Sequence, residues 1–286
     1  MTRLALREGL ARALFLASAV ASILAVALIC VFLFANGIPA MAQIGLPDFL
    51  LGTTWRPENN IYGIFPMIVG SVYVTAGALI VGVPAGLLCA IFLSRFAKGA
   101  VVRVLKPGVE LLAGIPSVVY GFFGLVMIVP FIRANAPGNG LSLLAASVLL
   151  GIMILPTIVT VAQSALDAVP RQYYEGALAL GADHEGATFR VVVPAAASGI
   201  MAGVVLGIGR AIGETMAIIM VAGNQPVVPE SIFNGVRTMT ANIVLEMGYA
   251  ADLHRGALIA TGVVLFVLIL LITMTFNAMK RRGERK

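Results

Sequence analysis

Residues 13–35 read ALFLASAVASILAVALICVFLFA, a run without a charged side chain. A helix needs about 20 apolar residues to cross the hydrocarbon core of a bilayer, so this run predicts a transmembrane helix. The arginines before it and the Ala40-Met41-Ala42 sequence after it imitate a secretory signal peptide. The apolar region of a signal peptide is only about 7–15 residues long, however. We therefore expect the mature protein to retain this helix.

Five more stretches of the chain are long and apolar, although 108–132 contains Glu110 and 194–223 contains Arg210 and Glu214. The chain of 286 residues is 60% hydrophobic and only 11% charged, whereas a soluble domain carries about 25% charged residues. Lipid cannot hydrogen-bond the backbone, and segments of this length cross a membrane as helices rather than strands. The composition thus predicts an all-α membrane protein with six transmembrane helices. The expected spans are 13–35, 64–94, 108–132, 142–165, 194–223 and 257–279.

The basic residues are distributed unevenly over the two sides of this arrangement. With the N-terminus inside, fourteen of the nineteen Lys and Arg residues fall in the terminal segments and the inner loops. Cytoplasmic segments carry such an excess of positive charge, so both termini are expected in the cytoplasm. The net charge of +6 then reflects membrane topology, and it indicates no nucleic-acid partner.

The connections between the spans predict how the chain is organised. The segments 36–62 and 224–256 contain Gly, Pro and Asn, as loops do, and are expected outside. A short helix at the membrane interface is compatible with 238–248. Trp55 is interpreted as an interfacial anchor, a position that tryptophan favours. The expected units are an N-terminal helix with its outer segment at 1–63 and the main transmembrane domain at 64–286.

The inner segment 166–193 carries the most specific pattern. It reads Glu175-Gly176-Ala177, three residues, Gly181, nine residues, and Val191-Val-Val-Pro194. This resembles the EAA loop of ABC importer permeases, in which E-A-A, three residues, G, nine residues and I-x-L-P follow one another. Helix formers at 172–180, with a glycine able to end a helix in the left-handed region, favour a helix–turn–helix. An ordinary amphipathic surface loop is the alternative.

The resemblance implies a type I (MetI-like) importer permease in the bacterial inner membrane. In that family the loop docks in a groove of an ATPase subunit and transmits its motion. No P-loop occurs in the chain, so ATP and Mg²⁺ are expected on two cytoplasmic ATPase subunits. A homologous permease and an external binding protein complete the implied assembly. The chain itself is expected to be no enzyme and to hold no cofactor or metal. The expected coupling residues are Glu175, Gly176, Ala177, Gly181 and Pro194.

Small residues and two charges recur along one side of the fifth span. At 100° per residue, Gly199, Gly203, Gly207, Arg210 and Glu214 fall within an arc of about 80°. Small faces let helices approach closely, and a charge at the membrane centre costs about 2.5–3.5 kcal/mol, so this face cannot point at lipid. Arg210 and Glu214 are expected to form an i, i+4 ion pair. The pair either locks a helix interface or lines the pathway, and we favour the pathway.

Three further stretches resemble the permeases of ABC-type phosphate importers, specifically those of the PstC type. They are GIGRAIGETM at 207–216, ELLAGIPSVVYG at 110–121 and GTTWRP at 52–57. The resemblance implies inorganic phosphate as substrate and a PstA-like permease as partner. The alternatives are a PstA-type permease and a permease for sulfate, molybdate or phosphonate. An ion-coupled secondary transporter and a non-transporting scaffold for phosphate signalling are more distant.

The expected mechanism centres on the charged pair. The arginine fork matches phosphate oxygens, and the carboxylate would neutralise it when no ligand is present. Phosphate carries a proton at neutral pH that a carboxylate accepts, whereas fully ionised sulfate would only be repelled. The residues expected along the substrate pathway are Arg210, Glu214, Thr215, Tyr120 and Ser117.

Overall fold

The structure is a computed structural model that describes residues 3–283, and it is mostly helical. The first half contains α1 Arg3–Ile44, α2 Leu46–Leu51, β1 Trp55–Arg56, β2 Ile61–Tyr62, α3 Phe65–Ile91, α4 Ala100–Gly114, α5 Ser117–Phe123, α6 Val129–Asn135 and α7 Leu143–Asp167. The second half contains α8 Arg171–Ala179, α9 His184–Ala187, α10 Val193–Ala195, α11 Ala197–Gly213, α12 Met216–Val221, α13 Met239–Glu246 and α14 Asp252–Gly283. Wider π-helical turns extend α3 over Phe92–Phe96 and join α5 to α6 and α9 to α10.

The predicted fold class is confirmed. Within residues 3–283, five helical segments are long and apolar enough to cross a membrane, and a bent sixth forms if two segments are counted together. The bent pair joins His184–Ala195 to Ala197–Gly213 at an angle of 68°. The orientation of the termini stays a prediction, and Arg285 and Lys286, which support it, lie outside the described residues. The five continuous segments are Leu10–Ile44, Phe65–Phe96, Ser117–Asn135, Leu143–Asp167 and Asp252–Phe276.

The third span begins later than predicted. The expected helix 108–132 is interrupted, because α4 ends at Gly114 and α5 begins only at Ser117. Ile115 is extended, with φ −69° and ψ 127°, as expected for a residue whose α conformation is disfavoured by the proline that follows. The exposed helix α4, which carries Arg103 and Lys106, is therefore separate from the third span.

The fifth span is also interrupted, and here the prediction of one helix over 194–223 is wrong. Helix α11 ends at Gly213, Glu214 is extended with φ −68° and ψ 135°, and α12 begins at Met216. The 100° periodicity that placed Glu214 on the face of the arginine therefore stops at Gly213.

The centre of the fold is α7, against which α3 and α11 pack. Glycines permit this close approach: an added Cβ at Gly82 of α3 would lie 2.7 Å from Cγ1 of Ile154. Helix α1 lies along α14, where an added Cβ at Gly37 would lie 2.6 Å from Cγ2 of Val263. The division of the chain at residue 63 stays a prediction.

The outer segments are more ordered than predicted. Helix α1 continues to Ile44, and α2 and the hairpin β1–β2 occupy the rest of 36–62, which was expected to be a loop. A short helix, with which 238–248 was compatible, is present as α13, and its location at the membrane interface stays a prediction. Trp55 is only 6% exposed and packs inside the protein, so its interpretation as an interfacial anchor is wrong. Local composition could not reveal that contacts with α13 and α14 bury this ring.

Candidate functional site

The arginine of the fifth span lies in the last turn of α11. Its Nη1 donates to Oγ1 of Thr157 on α7 at 3.4 Å, a long hydrogen bond. The predicted ion pair with Glu214 does not form: among the residues whose side chains the structure describes, the ion pairs are Arg237–Glu246 and His254–Glu246. The physical reason is the extended backbone at Glu214, which removes this side chain from the helical i, i+4 position. Arg210 is half-buried and has no carboxylate partner in the described part of the chain.

The carboxylate of Glu214 instead caps the next helix. The backbone N–H groups of Thr215 and Ala217 donate to its Oε1 at 3.1 and 3.4 Å. The first N–H groups of a helix lack partners within the helix, and the positive end of the helix dipole favours a negative charge there. The hydroxyl of Thr215 donates back to the carbonyl of Gly213 at 3.2 Å. We call residues 214–215 the pathway break, after the substrate pathway on which the sequence analysis expects them; that they line it stays a prediction.

The second interrupted helix lies beside the first. An added Cβ at Gly121 of α5 would lie 3.0 Å from Cα of Ala217, and one at Gly124 would lie 2.8 Å from Cγ1 of Val221. These contacts follow one another in the same order along both helices, so α5 and α12 run parallel. The structure therefore brings the interruption before Ser117 and the pathway break to the same level of the bundle.

Two predicted pathway residues belong to α5. Tyr120 is buried, and its hydroxyl donates to the carbonyl of Leu112 on α4 at 2.8 Å. Its hydroxyl thus bridges the interruption at Ile115 and Pro116. Ser117 occupies the first position of α5 and is half-buried. That these residues line a pathway stays a prediction.

The small face of α11 packs against α7 of the same chain. An added Cβ would lie 2.4 Å from Cβ of Ala165 at Gly199, 3.2 Å from Cβ of Val161 at Gly203, and 3.1 Å from Cγ1 of Ile158 at Gly207. The absence of larger side chains on this face lets α11 approach α7 closely. Because the facing helix belongs to the same chain, the glycines serve the fold of this subunit.

The inner segment forms the predicted helix–turn–helix. Helix α8 ends before Gly181, whose φ of +88° is the left-handed conformation expected of a glycine that ends a helix. The N–H groups of Gly181 and Ala182 donate to the carbonyls of Leu178 and Ala177 at 2.9 and 3.0 Å. Asp183 then caps α9, its Oδ1 accepting from the N–H of Gly186 at 2.7 Å.

This helix–turn–helix offers a surface to a partner. Glu175 and Gly176 are exposed, Leu180 is 92% exposed, and an open cavity of about 810 Å³ lies beside them. The cavity is lined by residues on both sides of the turn, including Ala177, Gly181, Phe189 and Arg190. Leu180 and Phe189 are both exposed and both line this cavity, and apolar side chains exposed together are a feature of interaction sites. Pro194 lies within α10, just before the 68° bend into α11.

A third group of residues was missed by the sequence analysis. Glu246, 6% exposed, accepts from Nη1 of Arg237 at 2.6 Å through Oε1. Its Oε2 accepts from Nε1 of Trp55 at 2.8 Å and lies 2.8 Å from Nε2 of His254. We call these four residues the Glu246 cluster. Trp55 and Glu246 are 191 positions apart, so no local pattern could have revealed their contact.

An open cavity of about 770 Å³ adjoins this cluster. Two tyrosines in its wall have altered acidity. Burial raises the pKa of Tyr62, and burial together with the charge of Glu246 raises the pKa of Tyr249. Both hydroxyls therefore stay protonated at neutral pH.

The comparisons with known proteins agree with this architecture. A sequence model of the family described as "Binding-protein-dependent transport system inner membrane component" matches residues 82–285. The chain is 38% identical to the "Probable ABC transporter permease protein YqgH" of Bacillus subtilis (strain 168), over 98% of this chain and 93% of that protein. It is 34% identical to the "Phosphate transport system permease protein PstC" of Mesorhizobium japonicum, over 99% of this chain and 93% of that protein.

Solved structures share the fold. A crystal structure of a bacterial ABC transporter involved in the import of the acidic polysaccharide alginate matches with a TM-score of 0.64 at 14% identity, over 97% of this chain and 98% of that chain. An inward-facing structure of the MetNI methionine ABC transporter matches with a TM-score of 0.58 at 20% identity, over 77% and 94%. Similarity at this level of identity concerns the fold alone.

Proposed function

The chain belongs to the family of binding-protein-dependent transport system inner membrane components, and we propose that it imports inorganic phosphate. As an ABC importer permease it is a multi-pass protein of the inner membrane. The family implies a partner permease, ATPase subunits and a binding protein around it. The substrate, the kind of partner permease and the energy source are parts of our proposal.

The relatives support phosphate as the substrate. The proteins of Mesorhizobium japonicum and Haemophilus influenzae, both named "Phosphate transport system permease protein PstC", are 34% identical to this chain over 99% and 81% of its length. Relatives from Xylella fastidiosa and Pasteurella multocida have the same name, and one from Mycobacterium tuberculosis is named "Phosphate transport system permease protein PstC 1". We accordingly assign the chain the role of the PstC-type subunit and expect a PstA-like permease beside it.

The observation that carries the proposal is the uncompensated charge of Arg210. A guanidinium inside a transmembrane helix is costly, and here its only hydrogen bond within residues 3–283 is the long contact with Thr157. Most of its five N–H donors are therefore free to bind a ligand. Two phosphate oxygens match the arginine fork in geometry and charge. Because Arg210 lies in the last turn of α11, which ends at Gly213 just before the pathway break, an anion bound there would lie between the interrupted helices.

Glu214 supplies selectivity in this proposal. Its Oε1 is occupied by the N–H groups of α12, while its Oε2 makes no hydrogen bond within the described residues. That free oxygen accepts the proton that phosphate carries at neutral pH, whereas a fully ionised sulfate has none to donate. The carboxylate thus repels the wrong anion. This mechanism replaces the neutralising ion pair, which the structure does not contain.

In the same proposal, the coupling loop, residues 166–193, transmits the motion of the ATPase subunits to the pathway. ATP and Mg²⁺ bind to two cytoplasmic ATPase subunits, and Glu175, Gly176, Ala177 and Gly181 form the surface that contacts them. ATP binding draws the ATPases together and opens the pathway outward. The external binding protein then delivers phosphate, and hydrolysis resets the cycle.

Transport by the complete assembly in vesicles tests the proposal. We expect phosphate uptake in the presence of ATP and the binding protein, and a loss of at least about tenfold in Arg210→Gln, since a pathway charge is removed. Glu214→Gln keeps an amide oxygen for the N–H groups of α12, so it should retain part of the phosphate uptake while sulfate uptake rises relative to it.

Leu206→Ala, an exposed position on α11, is the matched control and should transport normally. Uptake of sulfate or molybdate in preference to phosphate by the wild-type assembly would overturn the assignment of phosphate. A phosphate flux in Arg210→Gln equal to that of wild type would show that Arg210 does not bind phosphate in the pathway.

A further inference from the structure

Three hydroxyl and amide groups connect α13 to the pathway break. The N–H of Ala241 donates to Oγ1 of Thr238 at 3.2 Å, and the hydroxyls of Thr238 and Thr240 are 3.0 Å apart. Oγ1 of Thr240 is 3.0 Å from the backbone carbonyl of Glu214. A carbonyl only accepts, so Thr240 must donate to it, and Thr238 must then donate to Thr240. In this series of three hydrogen bonds, every donor therefore points toward the carbonyl of Glu214.

The start of α13 is fixed to the rest of the fold as well. The N–H of Met239 donates to Oγ of Ser71 on α3 at 2.9 Å. The carbonyl of Arg237, two residues before Met239, lies so close to α3 that an added Cβ at Gly70 would be 2.5 Å from its oxygen. The contact between Thr240 and Glu214 thus joins two well-anchored elements, and it holds the carbonyl that α11 leaves without a helical partner.

The other end of α13 belongs to the Glu246 cluster. Glu246 is the last residue of this eight-residue helix, and its carboxylate binds the side chains of Arg237, Trp55 and His254. Trp55 comes from β1 and His254 from the first turn of α14. One helix of about 12 Å therefore extends from the pathway break to a cluster of three separate segments.

The cluster lies at the end of the molecule opposite the coupling loop. Ser71 near the start of α3 contacts α13, whereas Phe96 at the far end of the same helix packs on His184, with ring centroids 4.6 Å apart. The intervening stretch of about 25 residues is a continuous helix about 38 Å long. With the coupling loop in the cytoplasm, the Glu246 cluster and its open cavity face outside, where Tyr249 is 71% exposed.

We propose that Thr240 is a positioning residue for the pathway, through which α13 transmits contacts of the external binding protein at the Glu246 cluster to the break at Glu214. The inference rests on the proposed function in that it requires an importer served by such a protein. When the binding protein docks beside Tyr249 and His254, α13 shifts as a rigid unit together with the start of α3, to which Ser71 anchors it. Thr240 then carries the displacement to the carbonyl of Glu214, and hence to the carboxylate that caps α12.

The test compares ATP hydrolysis by the reconstituted complex with and without phosphate-loaded binding protein. Thr240→Val keeps the shape of the side chain but loses the donor, so we expect the ratio of stimulated to basal hydrolysis to fall roughly three- to tenfold. Thr240→Ser restores the hydroxyl and should restore the ratio. Thr261→Val is the matched control, because the buried hydroxyl of Thr261 bonds only the carbonyl of Ala257 in its own helix; its ratio should equal that of wild type.

A double-mutant cycle separates transmission from general damage. If Thr240 and Glu246 act through one helix, Thr240→Val combined with Glu246→Gln should be no worse than the more severe single variant. The inference would be overturned if the effects of the two substitutions on the ratio multiplied in the double variant. It would also be overturned if Thr240→Val left the ratio unchanged at a normal yield of complex. Loss of assembled complex in Thr240→Val with a normal ratio would show that Thr240 is merely structural.

Failure of the wild-type complex to respond to the phosphate-loaded binding protein would instead refute the proposed substrate. The same variants would then be compared with the loaded binding protein for sulfate or molybdate.

Discussion

At the scale of single residues, the geometry of the candidate site depends on where the backbone leaves the helical conformation. Gly181 adopts φ +88° and thereby turns the chain from α8 into α9. Glu214 is extended, and its side chain consequently caps α12 instead of pairing with Arg210. The same side chain in a continuous helix would have had a different partner. Side-chain chemistry at these positions therefore cannot be separated from backbone geometry.

A pair of glycines in the coupling loop tests this dependence. Gly181→Ala places a Cβ in the left-handed region, at a cost of about 1–2 kcal/mol, and should lower ATP-dependent uptake while membrane insertion stays normal. Gly176→Ala is the control, because Gly176 is helical and alanine is the residue that the EAA pattern of the family has at this position. We expect wild-type uptake from it. Equal uptake by both variants, at equal amounts in the membrane, would contradict a role for the turn.

At the scale of elements, the small face of α11 sets the distance between two helices of one subunit. Gly203 and Gly207 are buried against α7, whereas Leu206 on a neighbouring side of α11 is 55% exposed. Close packing of α11 on α7 fixes the direction from which Arg210 approaches Thr157. The glycines thus contribute to the candidate site indirectly, through the position of the helix that carries it.

Enlarging these glycines should destabilise the subunit itself. Gly203→Leu and Gly207→Leu overpack the contact with Val161 and Ile158, and overpacking typically costs about 1–3 kcal/mol or more. We expect a lower yield of folded protein and a lower unfolding temperature of the isolated complex. Leu206→Ala should change neither. Normal thermal stability of both leucine variants, with loss only of the partner permease, would show that the face serves assembly instead.

At the scale of the whole molecule, the Glu246 cluster ties together segments that are distant in the chain. It joins the hairpin after α1, the start of α14 and the end of α13 through one buried carboxylate. A buried carboxylate is tolerated only when its oxygens are satisfied, and here both oxygens have partners. The cluster therefore holds the end of the bundle where the connections are longest.

Replacing Trp55 measures how much its hydrogen bond to Glu246 contributes to the stability of the fold. Trp55→Phe keeps an aromatic ring but removes the N–H that donates to Glu246, and a hydrogen bond to a charged group is worth about 1.5–3 kcal/mol. The unfolding temperature of the purified complex should fall. Tyr249→Phe, at an exposed ring of the same cavity, is the control and should leave it unchanged. A thermal stability of Trp55→Phe equal to that of wild type would show that the hairpin is held by packing alone.

The sequence by itself determined the features that depend on neighbouring residues. Apolar runs of about 20 residues identified the membrane-spanning class and six approximate spans, because the cost of burying polar groups in lipid acts on each segment separately. The spacing around Gly181 predicted the helix–turn–helix, and the small residues of α11 predicted a close helix contact. Each of these signals lies within a few turns of helix.

Only the tertiary structure decided where the helices are interrupted and which charges meet. The break at Glu214 is held by Thr240, twenty-six positions away, and by the packing of α12 on α5. The carboxylate of Glu246 is satisfied by Trp55, on the other side of most of the chain. Periodicity within one segment favours an unbroken helix and an i, i+4 ion pair. Long-range hydrogen bonds override both, because they supply the partners that an interrupted backbone and a buried charge require.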